Sequence, residues 1–216
     1  WWFRPTLFHK QFLRILDDEG LSSEGIVRSD DRITTTKFRI IGNNSQLLRV
    51  DEEVTHDLNE ADEEAFLGVC YRLLDSEKID VMLIQDYNKG ILTPNVITRL
   101  IDKAREKGVP VAVDPKKKNF DLYRKVTLFK PNLKELKEGL KVDFRVPDEQ
   151  VLNDTVNLLR DRIQVDIALI TLSEHGIFIS GKNEKATDFD FTNYGQMRLF
   201  QPDQARKIIF DFAADD

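Results

Sequence analysis

The chain has 216 residues, enough for one domain with a substantial core or one domain plus a small appendage. With 32 Lys and Arg against 38 Asp and Glu, its formal charge is −6, which argues against a nucleic-acid partner but leaves room for a local basic cleft that takes a small anion. The single cysteine, Cys70, excludes a disulfide framework or a cysteine metal cluster and reads as a core thiol. No apolar run approaches membrane-spanning length, and W-W-F-R-P is too short for a signal segment. A reducing, cytoplasmic location and no membrane partner are therefore expected.

Residues 7–18 carry a helical stripe of Leu7, Phe8, Phe12, Leu13, Ile15 and Leu16 that Gly20 should end. The β-rich stretches I-T-T-T-K-F-R-I-I and Q-L-L-R-V-D flank a Gly-Asn-Asn turn, which predicts a hairpin within 33–52. A helix follows over 60–76. The run I-D-V-M-L-I at 79–84 reads as a strand buried on both faces. Thr93 and Pro94 open a helix that runs to Lys107 and stops at Gly108. Strands are expected at 109–114, 126–129, 165–172 and 176–180, with helices after Asn132 and over 148–162. Strands alternating with helices of this length predict an α/β fold: a mostly parallel sheet, helices on both faces, and an early projecting hairpin.

In such a sheet, ligands bind beyond the carboxyl ends of the strands. Those ends carry Q-D-Y-N-K-G (85–90), D-P-K-K-K (114–118), K-P-N-L-K-E (130–135), T-L-S-E-H-G (171–176) and D-F-A-A-D-D (211–216). Carboxylates and lysines gathered at one edge suit an anionic substrate with a divalent cation. Each stretch also has a plainer reading. Asp114-Pro115 can be a turn and Lys116 to Lys118 a solvated run. Asn132 and Glu135 can form a capping box. Asp86 can be a turn residue, with Gly90 left-handed. His175 reads as a solvated loop residue, and His9 and His56 have no partner at ligand spacing. Neither G-x-x-x-x-G-K-[ST] nor G-x-G-x-x-G occurs, so P-loop and dinucleotide sites lack their key residues.

Taken together, D-D-R-I-T-T-T-K-F-R-I-I (30–41), Q-L-L-R-V-D-E-E (46–53), Q-D-Y-N-K-G-I-L-T (85–93), V-D-P-K-K-K-N-F (113–120), T-L-F-K-P-N-L-K-E-L (127–136) and T-L-S-E-H-G resemble the ribokinase-like (PfkB) carbohydrate kinases. Within them, the likeness is strongest to the heptose 7-phosphate kinase domain of bifunctional ADP-heptose synthesis enzymes. The resemblance implies a ribokinase-like fold and transfer of the ATP γ-phosphoryl to a sugar hydroxyl, with Mg²⁺. The implied acceptor is heptose 7-phosphate at its anomeric position. Asn132 and Glu135 match the N-x-x-E that organises the metal beside the phosphates, Glu135 being the metal-side residue. Thr171, Ser173 and Gly176 match the loop along ATP, and Lys116 a phosphate contact. Asp86 and Lys89 match a loop near the substrate. Lys37 and Arg39 come from the hairpin, which in this family helps form a lid over the sugar; hairpins of this superfamily often pair between subunits, so the resemblance allows a homodimer through it.

The last six residues resemble the family's catalytic loop, with Asp211 as its early Asp on the nucleotide side and Asp216 as the base. They depart from it in one missing residue before Ala213 and in Asp215, which stands where the family has glycine. A carboxylate about 4 Å from the transferring phosphoryl opposes charge build-up by roughly 4 kcal/mol at an effective dielectric near 20. That is on the order of 10³ in rate. The family's first strand, its Gly-Gly…Asn motif and the helix after the base have no match here, so the expectation is one ribokinase-like domain lacking the family's two terminal parts. Three readings stand: an active sugar kinase; a non-catalytic nucleotide- or sugar-phosphate-binding remnant or truncated piece of one; or a plain interaction domain that self-associates through the hairpin, whose T-T-T-K-F-R-I-I offers a long β-rich edge.

Overall fold

The structure, a computed structural model, describes residues 2–3, 7–144, 149–173 and 176–181. His175, Asp211, Asp215 and Asp216 lie outside the described residues. The chain opens with β1 (Trp2–Phe3), α1 (Leu7–Asp18) and β2 (Val27–Arg28), which pairs parallel with β1. Gly20 takes φ +65°, and Leu21 N–H reaches back to the Leu16 carbonyl at 2.8 Å, so a left-handed residue closes α1 as its position predicts.

Strands β3 (Thr36–Gly42) and β4 (Ser45–Glu52) form the hairpin. Asn43 and Asn44 both take positive φ, 49° and 57°, the backbone of a type I′ turn whose twist matches its strands. The register pairs Phe38 with Val50 and Ile40 with Leu48, which gathers one apolar face; Lys37 opposite Asp51 and Arg39 opposite Arg49 make the other face charged. The register shifts between Ile40 and Ile41.

Helix α2 (Glu60–Ser76) starts at Asn59, whose side chain accepts from the Asp62 N–H at 2.8 Å; three acids in the first turn favour its positive end. Then come β5 (Met82–Gln85), α3 (Pro94–Glu106), β6 (Val111–Asp114), a 3-10 helix over Lys117–Leu122, β7 (Leu128–Phe129), α4 (Leu133–Leu140), α5 (Glu149–Ile163), β8 (Ile167–Thr171) and β9 (Ile177–Gly181). Strands β5 to β9 form one sheet in sequence order, with β5 to β8 parallel and β9 antiparallel to β8. The fold is α/β and mostly parallel, as the alternation predicts.

Val111, Val113, Phe129, Ala168 and Ile170 are buried with residues of α3, α4 and α5 in one apolar cluster. The run at 79–84 does not meet its expectation of burial on both faces. Met82 and Ile84 share a face with Val111 and Val113, but Leu83 is 69% exposed and Val81 55%. Among the described residues β5 is the sheet's edge, and an apolar run alone cannot distinguish an edge from a centre. No helix of the described residues is long and apolar enough to cross a membrane.

Helix α4 packs so closely on the core that a Cβ at Gly139 would lie 2.6 Å from the ring of Phe120, itself buried edge-on against Phe129. Gly68 on α2 meets nothing within 4 Å. Helix propensity alone favours alanine at both by about 1 kcal/mol. Gly68→Ala is therefore expected to raise the urea midpoint, and Gly139→Ala to lower it, because overpacking costs about 1–3 kcal/mol. Equal shifts of both midpoints in the same direction would contradict this packing.

Candidate functional site

Parallel pairing sets Gln85 against Asp114 and carries β7 and β8 alongside, so the loops after β5, β6, β7 and β8 emerge at one edge. After β7, Asn132 caps α4 by accepting from the Glu135 N–H at 2.8 Å, and Glu135 accepts in return from the Asn132 N–H at 2.9 Å. The capping box is thus present, and it holds Glu135 nearly buried at that edge. The second carboxylate oxygen of Glu135 accepts from the Lys116 ammonium. That bond, opposed by burial and helped by Asp114 and Asp86, raises the Lys116 pKa and keeps it a cation. Thr171 bridges to Asn132 and donates its N–H to the Pro131 carbonyl at 3.2 Å. The chain then turns through Ser173, at φ +55°, with Leu172 N–H bonded to the Gly176 carbonyl at 2.8 Å.

Lys116, Asn132, Glu135 and Thr171 therefore lie together, with Ser173 and Gly176 in the adjoining turn. The lysine run is not merely solvated. Lys117 pairs with Glu138 at 3.3 Å and Lys118 with Asp57 at 2.6 Å, while Lys130 meets Asp114 at 3.3 Å.

The expected substrate residues divide. Lys89 pairs with Glu53 at the hairpin's root, and Lys37 lies 3.1 Å from Asp51 and 3.9 Å from Glu53, so the two lysines converge on one carboxylate. Arg39 shares the strand face of Lys37 and faces Arg49 across the hairpin. Arg49 and Lys37 hold Asp51 far below the usual carboxylate range. Asp86 is buried instead, 2% exposed, and accepts from Tyr123 Oη at 2.7 Å, Asn119 Nδ2 at 3.1 Å and the Asn88 N–H at 2.6 Å. In this structure it closes the turn and binds the 3-10 helix and its C-cap residue. Burial first, then Asp86, pushes the Tyr123 phenol far above its ordinary pKa, so it stays a donor.

Sequence reasoning assigned no role to Glu53 or Arg32. Arg32, 4% exposed, donates to the carbonyls of His56 at 2.9 Å, Val54 at 3.3 Å and Lys89. The one available signal for it was an arginine lying just before a strand amid acids. Among the described residues no three His, Cys, Asp or Glu gather as direct metal ligands. A groove of about 440 Å³ runs from Asp86 and Lys89 down β5 past Cys70. A second hollow, of about 520 Å³, lies at the opposite strand ends between Arg105, Lys125 and Arg160.

Comparison with known proteins decides the family. The pfkB family carbohydrate kinase pattern matches residues 7–189. The chain belongs to that family. Among curated relatives, the bifunctional protein HldE of Wolinella succinogenes is 36% identical over 170 residues, 79% of this chain and 35% of that protein. The chain thus spans about a third of that relative's length. The tetrameric inhibited form of phosphofructokinase-2 from Escherichia coli superposes with a TM-score of 0.63 at 17% identity, over 84% of this chain and 58% of its own. Arabidopsis thaliana ribokinase complexed with ribose and ATP gives 0.62 at 14% identity, over 87% and 58%. These structures establish the fold as ribokinase-like.

Cys70, expected in the core, is half-buried against the cluster of Leu67, Val96 and Leu100, and burial pushes its thiol up to about 11. Thiolate is the reactive form. Labelling by a disulfide reagent at pH 8 is therefore expected to run on the order of a hundredfold slower than for a free thiol of pKa about 8.5, and to accelerate through pH 10. A rate that levels off near pH 8 would contradict this environment.

Proposed function

We propose that this chain is the phosphoryl-transfer domain of a sugar kinase that moves the ATP γ-phosphoryl to a phosphorylated sugar, heptose 7-phosphate at its anomeric hydroxyl. The observation that carries the reading is the Lys116–Glu135–Asn132 cluster beside Thr171 at the carboxyl edge of a pfkB-family sheet. ATP would lie along Thr171, Ser173 and Gly176, with Lys116 at its phosphates and Asp211 on the same side. The Lys116 side chain is 41% exposed, so a phosphate can reach it, while Glu135, nearly buried, keeps the Asn132 N–H as a partner.

The donor set fits a hydrated divalent ion better than a directly ligated one, since both Glu135 oxygens are engaged and no three-ligand cluster surrounds it among the described residues. Asn132 and Glu135 would hold Mg²⁺ through its waters, which that ion sheds reluctantly. When bound, the ion supplies charge neutralisation at the phosphates. Lys37, Lys89 and Arg39 supply cations for the acceptor's own phosphate. Asp216 is the assigned base by its place in D-F-A-A-D-D: it takes the hydroxyl proton, the oxygen attacks the γ-phosphorus, and the bond to the ADP oxygen breaks.

The heptose assignment rests on T-T-T-K-F-R and L-L-R-V-D. The hairpin's exposed apolar face, Phe38, Ile40, Leu48 and Val50, suits a second copy of the chain as well as a lid. A cytoplasmic location accompanies this reading. Asp215 favours the competing one, a binding remnant without turnover.

The test is sugar-dependent ADP release with Mg·ATP across heptose 7-phosphate, ribose and fructose phosphates. Release confined to heptose 7-phosphate is expected; release with none would leave the binding remnant. Glu135→Gln keeps an acceptor for the Asn132 N–H, so it should fold normally yet bind Mg·ATP about 10–100-fold more weakly. Unchanged affinity would remove Glu135 from the metal side.

A further inference from the structure

We propose that Arg32 is a positioning residue: its buried guanidinium ties the returning strand of the hairpin to the loop that presents Lys89, so that lid and sugar-side loop move as one unit. The consequence for turnover rests on the sugar-kinase reading; the mechanical coupling does not.

Arg32 lies four positions before β3, and its acceptors Val54 and His56 lie just after β4. Both roots of the hairpin thus meet at one side chain, which also holds the Lys89 carbonyl. A planar fork of five N–H donors can serve three carbonyls that converge from two segments. The guanidinium is buried at this junction, which lowers its pKa, opposed by the nearby charges of Asp62 and Asp57. The backbone of Arg32 is fixed in turn. Ser29 Oγ donates to Asp62 at 2.7 Å and Asn59 Nδ2 to Asp31 at 2.7 Å, which fastens the loop to the start of α2.

Independent contacts join the same two segments. Gly90 takes φ +78°, and a Cβ there would fall 1.8 Å from the His56 carbonyl oxygen, so only glycine lets the strands' return lie on this loop. Leu58 N–H donates to the Gly90 carbonyl at 3.0 Å. Glu53 takes the Lys89 ammonium, so Lys89 is held at its carbonyl by Arg32 and at its tip by the hairpin's root. Strand β4 is exposed along its whole length. The orientation of the hairpin, and with it the position of Lys37, therefore depends on this root.

The experiment combines amide hydrogen exchange with steady-state kinetics on the full chain carrying Arg32→Met, Arg32→Lys or Gly90→Ala. In Arg32→Met the amides of 36–52 and of Leu58 should exchange at least tenfold faster, while those of β6 and α4 change less than twofold. The KM for the acceptor sugar should rise at least tenfold with the KM for ATP within twofold, Arg32→Lys should recover part of the loss, and Gly90→Ala should reproduce it. Unchanged exchange at the hairpin in a folded variant overturns the proposal, as do equal shifts of both KM values. If Arg32→Met does not fold, Arg32→Lys and Gly90→Ala carry the same readouts. If the unaltered chain turns over no sugar, the kinase reading fails while the exchange data still decide the coupling.

Discussion

Parallel pairing of β5 through β8 is the constraint from which the site follows. It obliges each strand to leave the sheet at the same edge: Gln85 lies against Asp114, β8 runs on until Thr171 meets Asn132, and their loops compete for one strip of surface. Charge concentrated there is neutralised within the chain: Lys116 by Glu135, Lys118 by Asp57, Lys130 by Asp114. The two pairs partly exposed on both sides, Lys118–Asp57 and Lys130–Asp114, are worth about 0–1 kcal/mol each, whereas the nearly buried Glu135 holds Lys116 more firmly. Those two outer pairs can therefore exchange partners at little cost.

The carboxylates at this edge fall into two kinds. Glu135 is held by a cap and a half-exposed lysine, an arrangement that can change partners. Asp86 is sealed by a buried phenol, a buried amide and a backbone N–H, and hydrogen bonds to a charged group are worth about 1.5–3 kcal/mol apiece. It fastens the loop of Lys89 to the 3-10 helix that follows Lys116. The loop of Lys89 and the segment after Lys116 thus share one buried anchor, while the hairpin is joined through its root alone among the contacts described.

Local chemistry was the readable part of the sequence. Asn43 and Asn44 accept the left-handed backbone of the turn, Thr93 and Pro94 open α3, and Asn132 with Glu135 three residues on writes a capping box; each depends on neighbours within a few positions. The burial of Asp86 was not readable, because its partners Asn119 and Tyr123 lie 33 and 37 residues away. Arg32 was missed for the same reason, since its acceptor at Lys89 is 57 residues distant. Leu83 shows a different limit: its apolar neighbours mark a strand, but only the presence of a second neighbouring strand decides its exposure. The pairing of Lys117 and Lys118 likewise needed the fold to bring Glu138 and Asp57 within reach.

The most direct test of the central claim, that nucleotide binds at the carboxyl edge of the parallel strands, is an amide NMR titration with Mg²⁺ and a non-hydrolysable ATP analogue. The account requires saturable shifts concentrated at 114–118, 130–135 and 171–173, with residues around Arg105, Lys125 and Arg160 unmoved. Shifts centred on that opposite hollow, or none at the carboxyl edge at saturating analogue, would contradict it.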